Sequence, residues 1–260
     1  MIHLKSVTKQ GSPREDSYPF HLPFIRNFQE LNLTSPVTII VGENGTGKST
    51  LLEAIAANIG SILIGGENID SDPSLDPARE LGKELKLVWT LKTRKGFFFR
   101  ANDFINFTQR IAAIRADSKQ AYQEIKERDP YSLEVLPYAN TLHDLKNLYG
   151  EGLDVRSHGE SFLDLFQARF QPGGLYILDE PEAPLSPLKQ LTLISMINDM
   201  VKEDGQFIIA THSPILMALP NAAIYCFEDD KLIRKEYDEV EHVKLTRDFL
   251  NNPASFLRYL

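Results

Sequence analysis

A glycine-rich segment carries the residue types that bind phosphate. Residues 42–49 read Gly-Glu-Asn-Gly-Thr-Gly-Lys-Ser and match the pattern G-x-x-x-x-G-K-[ST] at every position. In such a loop, backbone N–H groups and the start of the following helix point at phosphate oxygens, and the glycines allow close approach. The lysine reaches the terminal phosphates and the hydroxyl holds Mg²⁺. The predicted nucleotide-binding residues are Gly42, Glu43, Asn44, Gly45, Thr46, Gly47, Lys48, Ser49 and Thr50.

The segments on either side of this loop match the structure that it requires. The apolar run Val37–Val41 precedes it, as a buried strand would, and residues 51–57 follow with the pattern of a helix. A strand, a phosphate loop and a helix in this order predict a site for a triphosphate such as ATP.

A second group of chemically active residues follows another predicted strand. Residues 175–178 are apolar and run directly into Asp179 and Glu180. A carboxylate at the carboxyl end of a buried strand, beside a phosphate loop, can hold Mg²⁺ together with Ser49. We therefore expect Asp179 to be a metal ligand and Glu180 to be the general base. Without the phosphate loop, a strand that runs into solvent through two charged turn residues closed by Pro181 would be the preferred interpretation.

The composition limits the class of protein. The 260 residues are 42% hydrophobic and 25% charged, as in an ordinary globular protein. The single cysteine, Cys226, excludes an internal disulfide, and no signal peptide or membrane-spanning run is evident. We expect a cytoplasmic protein without direct membrane insertion. The net charge of −8 disfavours broad non-specific binding to nucleic acid, although it is compatible with a local basic patch.

The order of predicted elements is that of a parallel-sheet core interrupted once. The first part of the chain predicts strands at 2–7 and 24–33, an exposed loop at 65–80 and a hairpin of 85–91 with 96–100. Helices are predicted at 103–128 and in the region up to 150. The rest predicts alternating helices and strands from 162 to 210, a hairpin around 229–230 and a helical end from 245 to 260. The hairpin and helices form an inserted lobe at about 81–156 within one domain of residues 1–260.

Here the chain resembles the ATP-binding-cassette class of P-loop ATPases. Asp179-Glu180-Pro181 is similar to the class's Walker B strand end with its catalytic glutamate. Ser157-His158-Gly159-Glu160-Ser161 resembles a divergent signature loop, which usually reads Leu-Ser-Gly-Gly-Gln. The resemblance implies that Ser157 and Gly159 cap the γ-phosphate bound by an opposing copy, in an ATP-sandwich homodimer. A plain helix cap by Ser157 or Ser161 is the alternative, and both roles use the same N–H groups.

The resemblance extends to a histidine and, less closely, to an amide. His212 ends an apolar strand and is similar to the switch histidine that contacts the γ-phosphate, so it joins Glu180 and Lys48 as a predicted catalytic residue. Asn102 is the candidate for the amide that senses Mg²⁺ and water, with Gln109 as the second choice.

Two features of the class are less well matched. Leu185-Ser186-Pro187 stands where the dimer-contact loop usually ends in Leu-Asp. The aromatic residue that stacks on adenine stays open among four candidates, for which core packing is the alternative: Tyr18, Phe20, Phe24 and Phe28.

More narrowly, the chain resembles stand-alone bacterial predicted ATPases of the AAA-21-like kind. Three segments carry this likeness: VTIIVGENGTGKSTLLEAIA, GFFFRANDF and LTRDFLNNPASFLRYL. The resemblance implies an α/β fold: a P-loop NTPase core of the ABC type with a parallel sheet, an antiparallel β part and a small inserted helical lobe.

The inserted lobe excludes a long coiled-coil arm, because the helix at 103–128 is short and Asp129-Pro130 ends it. Phe97–Phe99 could form an exposed docking site, but three aromatics in a strand favour a core position on both faces. The basic residues around them fit a solvated turn. They are Lys92, Arg94, Lys95 and Arg100.

These observations predict a Mg²⁺-dependent ATPase whose homodimer drives a conformational switch. The client would be nucleic acid or a protein partner, with DNA repair and phage defence as candidate settings. The alternative is the nucleotide-binding subunit of an ABC membrane transporter. A binding switch without hydrolysis is a third possibility, which Glu180 disfavours.

Overall fold

The computed structural model describes residues 1–11, 17–64, 69, 72–149 and 158–258, with the backbone alone at 102, 105, 148, 149 and 158–161. The strands are β1 (Leu4–Lys9), β2 (Glu30–Asn32), β3 (Val37–Val41), β4 (Leu63–Ile64), β5 (Leu85–Trp89), β6 (Gly96–Arg100), β7 (Leu175–Asp179), β8 (Gln206–Ala210), β9 (Ala223–Glu228) and β10 (Lys231–Lys235). The helices are α1 (Pro23–Asn27), α2 (Lys48–Ile59), α3 (Asp76–Lys83), α4 (Ala101–Arg128), α5 (Leu136–Tyr149), α6 (His158–Arg169), α7 (Pro187–Lys202), α8 (Pro214–Met217), α9 (Glu241–Asn251) and α10 (Pro253–Leu257).

The described strands form two sheets. The larger has the order β10-β9-β3-β8-β7-β6-β4, and all its neighbours are parallel except the β9–β10 hairpin. The smaller sheet, β2-β1-β5, is antiparallel. The fold is therefore the α/β architecture with an antiparallel part that the sequence predicts.

Burial on both faces explains why the central strands are continuously apolar. Every residue of β3, β7 and β8 is buried. Phe97 and Phe99 pack on one face with α6 and α7, whereas Phe98 packs on the other with α2 and the small sheet. The core reading of Phe97–Phe99 is thus confirmed.

A buried glutamine joins the two sheets. The Gln206 side chain accepts hydrogen bonds from the N–H groups of His3 and Leu4, and it donates to the Leu4 carbonyl, all at 2.8 Å. The first residues of the chain are thereby tied to the centre of the parallel sheet.

The predicted hairpin of 85–91 with 96–100 is wrong, although both strands exist. β5 pairs with β1 in the small sheet, while β6 lies between β7 and β4 in the large one. Three consecutive phenylalanines need cover on both faces, and only a central position in the parallel sheet provides it.

Two other segments differ from their predictions. Within the segment expected as a strand at 24–33, residues 24–27 belong to the helix α1 and only Glu30–Asn32 form a strand, β2; α1 begins with Pro23, a residue suited to a first helical turn. The loop expected at 65–80 ends in α3, because Ala78 and Leu81 are buried on one side of a helix.

Two helices follow β6 where the sequence predicts the helical part of the inserted lobe, whereas the strands of its expected hairpin belong to the two sheets. α4 ends at Arg128, directly before Asp129-Pro130, and α5 packs against it. Within the described ranges, each helix is too short or too polar to span a lipid bilayer.

Candidate active site

Four neighbouring parallel strands end at the same edge of the large sheet. β3 leads into the phosphate loop, β8 into Thr211 and His212, β7 into Glu180, and β6 ends at Arg100. Because these strands are adjacent in the order β3-β8-β7-β6, the loops that follow them meet at one place. The sheet therefore brings the phosphate loop, Asp179, Glu180 and His212 to one edge.

The phosphate loop is curled around a buried lysine. Lys48 is 4% exposed, and its ammonium donates to the carbonyls of Gly42 and Glu43, both at 2.8 Å. Gly47 takes a left-handed φ of +99°, and a Cβ at Gly42 would lie 2.8 Å from that of Phe227. Burial lowers the pKa of Lys48, while the acids opposite it raise it.

Asp179 and Ser49 form the donor pair expected of a metal site. Asp179 is 7% exposed, accepts a hydrogen bond from Ser49, and keeps one buried oxygen, Oδ1, without a hydrogen-bond partner. Burial, followed by the charges of Glu180 and Glu53, raises the pKa of Asp179 to about 7. A buried carboxylate with an unsatisfied oxygen beside a hydroxyl suits a hard divalent cation such as Mg²⁺.

Glu180 follows β7 in a strained conformation. Its φ of +51° lies in the left-handed region, which costs a residue with a Cβ about 1 kcal/mol. The Glu180 N–H donates to the Ala210 carbonyl at 2.9 Å, which holds this turn against β8. The half-exposed carboxylate is thus directed towards the cavity beside Asp179.

His212 faces Glu180 across this edge. Its Nε2 lies 3.6 Å from Glu180 Oε1 and has no hydrogen-bond partner. Burial and the charge of Lys48 lower the pKa of His212 although Glu180 opposes them, so the neutral imidazole is favoured at neutral pH.

Sequence reasoning missed Glu182, which supports His212. The Glu182 carboxylate accepts from the His212 backbone N–H at 2.7 Å, and burial raises its pKa. The sequence feature that could have indicated this role is the position of Glu182, a third acid directly after Asp179-Glu180-Pro181.

Sequence reasoning also misassigned Arg100. Its side chain is only 14% exposed and is bound by Glu53, Asp72 and Asp103, so it is not part of a solvated turn. A cavity of about 320 Å³ joins this cluster to the catalytic residues. It is lined by Ser49, Glu53, Ser74, Arg100, Ala101, Asp103, Asp179 and Glu180.

The remaining predicted residues have varied positions. Ser157 lies outside the described residues, and Gly159 is in the first turn of α6. Asn102 is the second residue of α4, with its backbone alone described, and Gln109 is exposed further along that helix. Ser186 precedes α7 and makes no side-chain cap bond.

The four aromatic candidates for adenine stacking separate by exposure. Phe20, Phe24 and Phe28 are core residues, whereas Tyr18 is 52% exposed and its hydroxyl shares a 3.0 Å hydrogen bond with that of Thr50.

Two family models match this chain. One, described as "AAA domain", matches residues 20–128. The other, described as "AAA domain, putative AbiEii toxin, Type IV TA system", matches residues 161–218. Together they include the phosphate loop, Asp179 at the end of β7, Glu180 directly after it, and the strand that ends before His212.

Curated relatives are ATP-binding subunits. The chain is 26% identical over 197 residues to the hemin import ATP-binding protein HmuV of Pseudomonas aeruginosa, covering 72% of this chain and 68% of that protein. It is 25% identical over 191 residues to the probable siderophore transport system ATP-binding protein YusV of Bacillus subtilis, covering 70% and 65%. The match with this chain covers only 32% and 37% of the length of two further relatives.

Among solved structures, cbiO1 of Clostridium perfringens, part of the ABC transporter complex cbiONQ, aligns over the whole of both chains at 17% identity with a TM-score of 0.49. The family models, the ATP-binding relatives, the phosphate loop and the acids at the end of β7 together support a P-loop ATPase of the ATP-binding-cassette type.

Proposed function

We propose that this chain is a Mg²⁺-dependent ATPase in which Glu180 is the general base. The observation that supports this most strongly is the convergence of Lys48, Ser49, Asp179 and Glu180 at one edge of the sheet. Lys48 and the backbone N–H groups of the loop bind the phosphates of ATP. Ser49 and Asp179 would hold Mg²⁺, which would neutralise negative charge on the phosphate oxygens.

The residues opposite the phosphates handle the attacking water. Glu180 accepts a proton from water, whose oxygen attacks the terminal phosphorus in line with the leaving ADP oxygen. The neutral His212 ring, 3.6 Å from Glu180, orients the water and the transferred phosphoryl group. Glu182 holds the backbone of His212 in place through its 2.7 Å hydrogen bond.

The base assignment is tested by Glu180→Gln. The amide cannot take the proton, so we expect turnover to fall about 10²- to 10⁴-fold while ATP binding persists. Steady-state phosphate release and equilibrium binding of ATP measure the two effects. Glu134→Gln, an exposed change in the inserted lobe, is the matched control. Turnover near that of the unmodified protein would rule out Glu180 as the base.

Two copies would pair head to tail in the cytoplasm, each contributing Ser157 and Gly159 to the other's ATP. The support is the likeness of residues 157–161 to a signature loop. In the Glu180→Gln background, light scattering should detect an ATP-dependent dimer that Ser157→Arg abolishes. A dimer that resists this substitution would contradict the assigned role.

The ATP-driven change of this dimer would act on nucleic acid or a protein partner, in DNA repair or phage defence. The family that matches residues 161–218 is described as including a toxin of a type IV TA system, which supports a defence setting. ATPase rates with and without DNA, RNA or candidate proteins test this, and strong stimulation by one of them identifies the client class.

A transporter subunit is the second candidate, because curated relatives are named as import ATP-binding proteins. Residues 185–187 read Leu-Ser-Pro instead of ending in Leu-Asp, which weighs against it. Stoichiometric co-purification with an integral membrane protein would favour this candidate over the first.

A further inference from the structure

Arg100 is surrounded by three carboxylates beside the proposed metal site. Its guanidinium donates to Asp103 at 2.7 and 3.1 Å, to Glu53 at 3.2 Å and to Asp72 at 3.1 Å. All four side chains are at most 17% exposed. One positive charge therefore faces three negative groups in a largely buried place.

Two of these carboxylates face the catalytic cavity and one does not. Glu53 and Asp103 line the cavity together with Ser49, Asp179 and Glu180, whereas Asp72 is not among the lining residues. Glu53 stands four residues after Ser49 on α2, so both project from the same face of that helix.

Strand register brings Arg100 to the same place. Arg100 is paired with Asp179 across β6 and β7, at the end of both strands. The guanidinium therefore holds Glu53 and Asp103 at a fixed position next to the buried carboxylate that has an unpartnered oxygen. Planar, forked donors such as arginine are suited to fixing two carboxylates at once.

A Mg²⁺ ion at Ser49 and Asp179 would keep several water ligands. In the described part of the chain, no three His, Cys, Asp or Glu side chains are grouped closely enough to hold an ion by themselves. Water molecules on the ion need hydrogen-bond acceptors, and such outer partners affect metal affinity strongly.

We infer that Glu53 and Asp103 accept hydrogen bonds from the water ligands of the bound divalent ion, and that Arg100 orients both carboxylates for this task. The inference rests on the proposed function, because it takes Ser49 and Asp179 as the direct ligands. Glu53, Asp103 and Arg100 are thus positioning residues for the metal and not catalytic residues.

The test is Mn²⁺ binding in the presence of ADP, followed by electron paramagnetic resonance, which needs no turnover. Glu53→Gln and Asp103→Asn should each weaken Mn²⁺ binding about tenfold. Asp72→Asn removes another Arg100 partner that does not line the cavity, and it should change the affinity by less than about twofold. Melting temperatures measured without metal show whether each variant is folded.

The outcomes separate the two proposals. If Asp179→Asn binds Mn²⁺ as tightly as the unmodified protein, the proposed metal site itself is wrong. If Asp179→Asn loses binding but Glu53→Gln and Asp103→Asn retain full affinity, the outer-ligand inference is overturned. Equal weakening by Glu53→Gln and Asp72→Asn would also overturn it, because that pattern indicates a purely structural role of the cluster.

Discussion

The fold treats the acids around Arg100 and the nearby Asp179 in opposite ways. Around Arg100, Glu53, Asp72 and Asp103 are compensated by a guanidinium. Asp179, in contrast, is buried with one oxygen unpartnered. A buried charge without compensation is costly. The difference indicates that the acids around Arg100 are held in a fixed geometry by their cation, whereas Asp179 is arranged to receive a ligand.

The pKa values of Asp179 and Asp72 shift in opposite directions, whereas burial raises the pKa of Glu53 although it contacts Arg100. Burial, then the charges of neighbouring acids, raises the pKa of Asp179 to about 7. For Asp72, burial opposes the shift, but hydrogen bonds from Ser74 and the interaction with Arg100 lower the pKa. The two aspartates therefore titrate in opposite directions, because the hydrogen bonds from Ser74 and the interaction with Arg100 prevail at Asp72, whereas burial prevails at Asp179.

The largest effect should come from Asp179→Asn. Loss of the charged ligand removes several kcal/mol of transition-state stabilisation, so turnover should fall about 10³-fold. Steady-state ATPase assays over a range of Mg²⁺ concentrations measure this. If excess Mg²⁺ restores full activity, Asp179 contributes only to the affinity for Mg²⁺. The contrast between Asp179 and the acids around Arg100 is then weaker than we describe.

Arg100→Ala should strongly destabilise the protein. It leaves three largely buried carboxylates without their cation, and breaking a buried ion pair costs several kcal/mol. We expect the free energy of unfolding to fall by about 2–4 kcal/mol in denaturant titrations without metal. A loss below 0.5 kcal/mol would show that the cluster is not structural.

Asp179→Asn should, in contrast, stabilise the metal-free protein. The folded-state pKa of about 7 exceeds the ordinary aspartate pKa of 3.8, so the folded state binds more protons between these values. Stability is therefore present at low pH and is lost as the pH rises through about 7. The variant lacks this loss and should be about 1–3 kcal/mol more stable than the unmodified protein at pH 8. Unfolding in chelator at pH 5 and pH 8 checks the sign, and a variant less stable at pH 8 would refute it.

The smallest effect is expected from Arg128→Ala, which breaks an exposed ion pair with Glu134 at the far end of α4. Exposed pairs contribute little, so the free energy of unfolding should change by less than about 0.5 kcal/mol. The same denaturant titration serves as the comparison for Arg100→Ala. A large loss of unfolding free energy in Arg128→Ala would mean that exposure does not explain the difference between Arg100 and Arg128.

Much of the site could be predicted because its parts are local. The phosphate loop and the acids after β7 each occupy one short segment, and their flanking strands are recognisable from continuous apolar runs. Arg100 could not be assigned in this way, since its partner Glu53 is 47 residues distant in the chain. Nothing near residue 100 in the sequence indicates that contact.

The sequence by itself determined the strand–loop–helix unit at residues 37–59, the acids that follow β7 and the helical character of the inserted lobe. Neighbouring residues decide such elements through periodicity and turn chemistry. Only the tertiary structure decided that β6 pairs with β7 instead of β5, and that Arg100 lies among three carboxylates beside Asp179. These arrangements depend on strand order in the parallel sheet, which is set by burial of both faces across the whole domain.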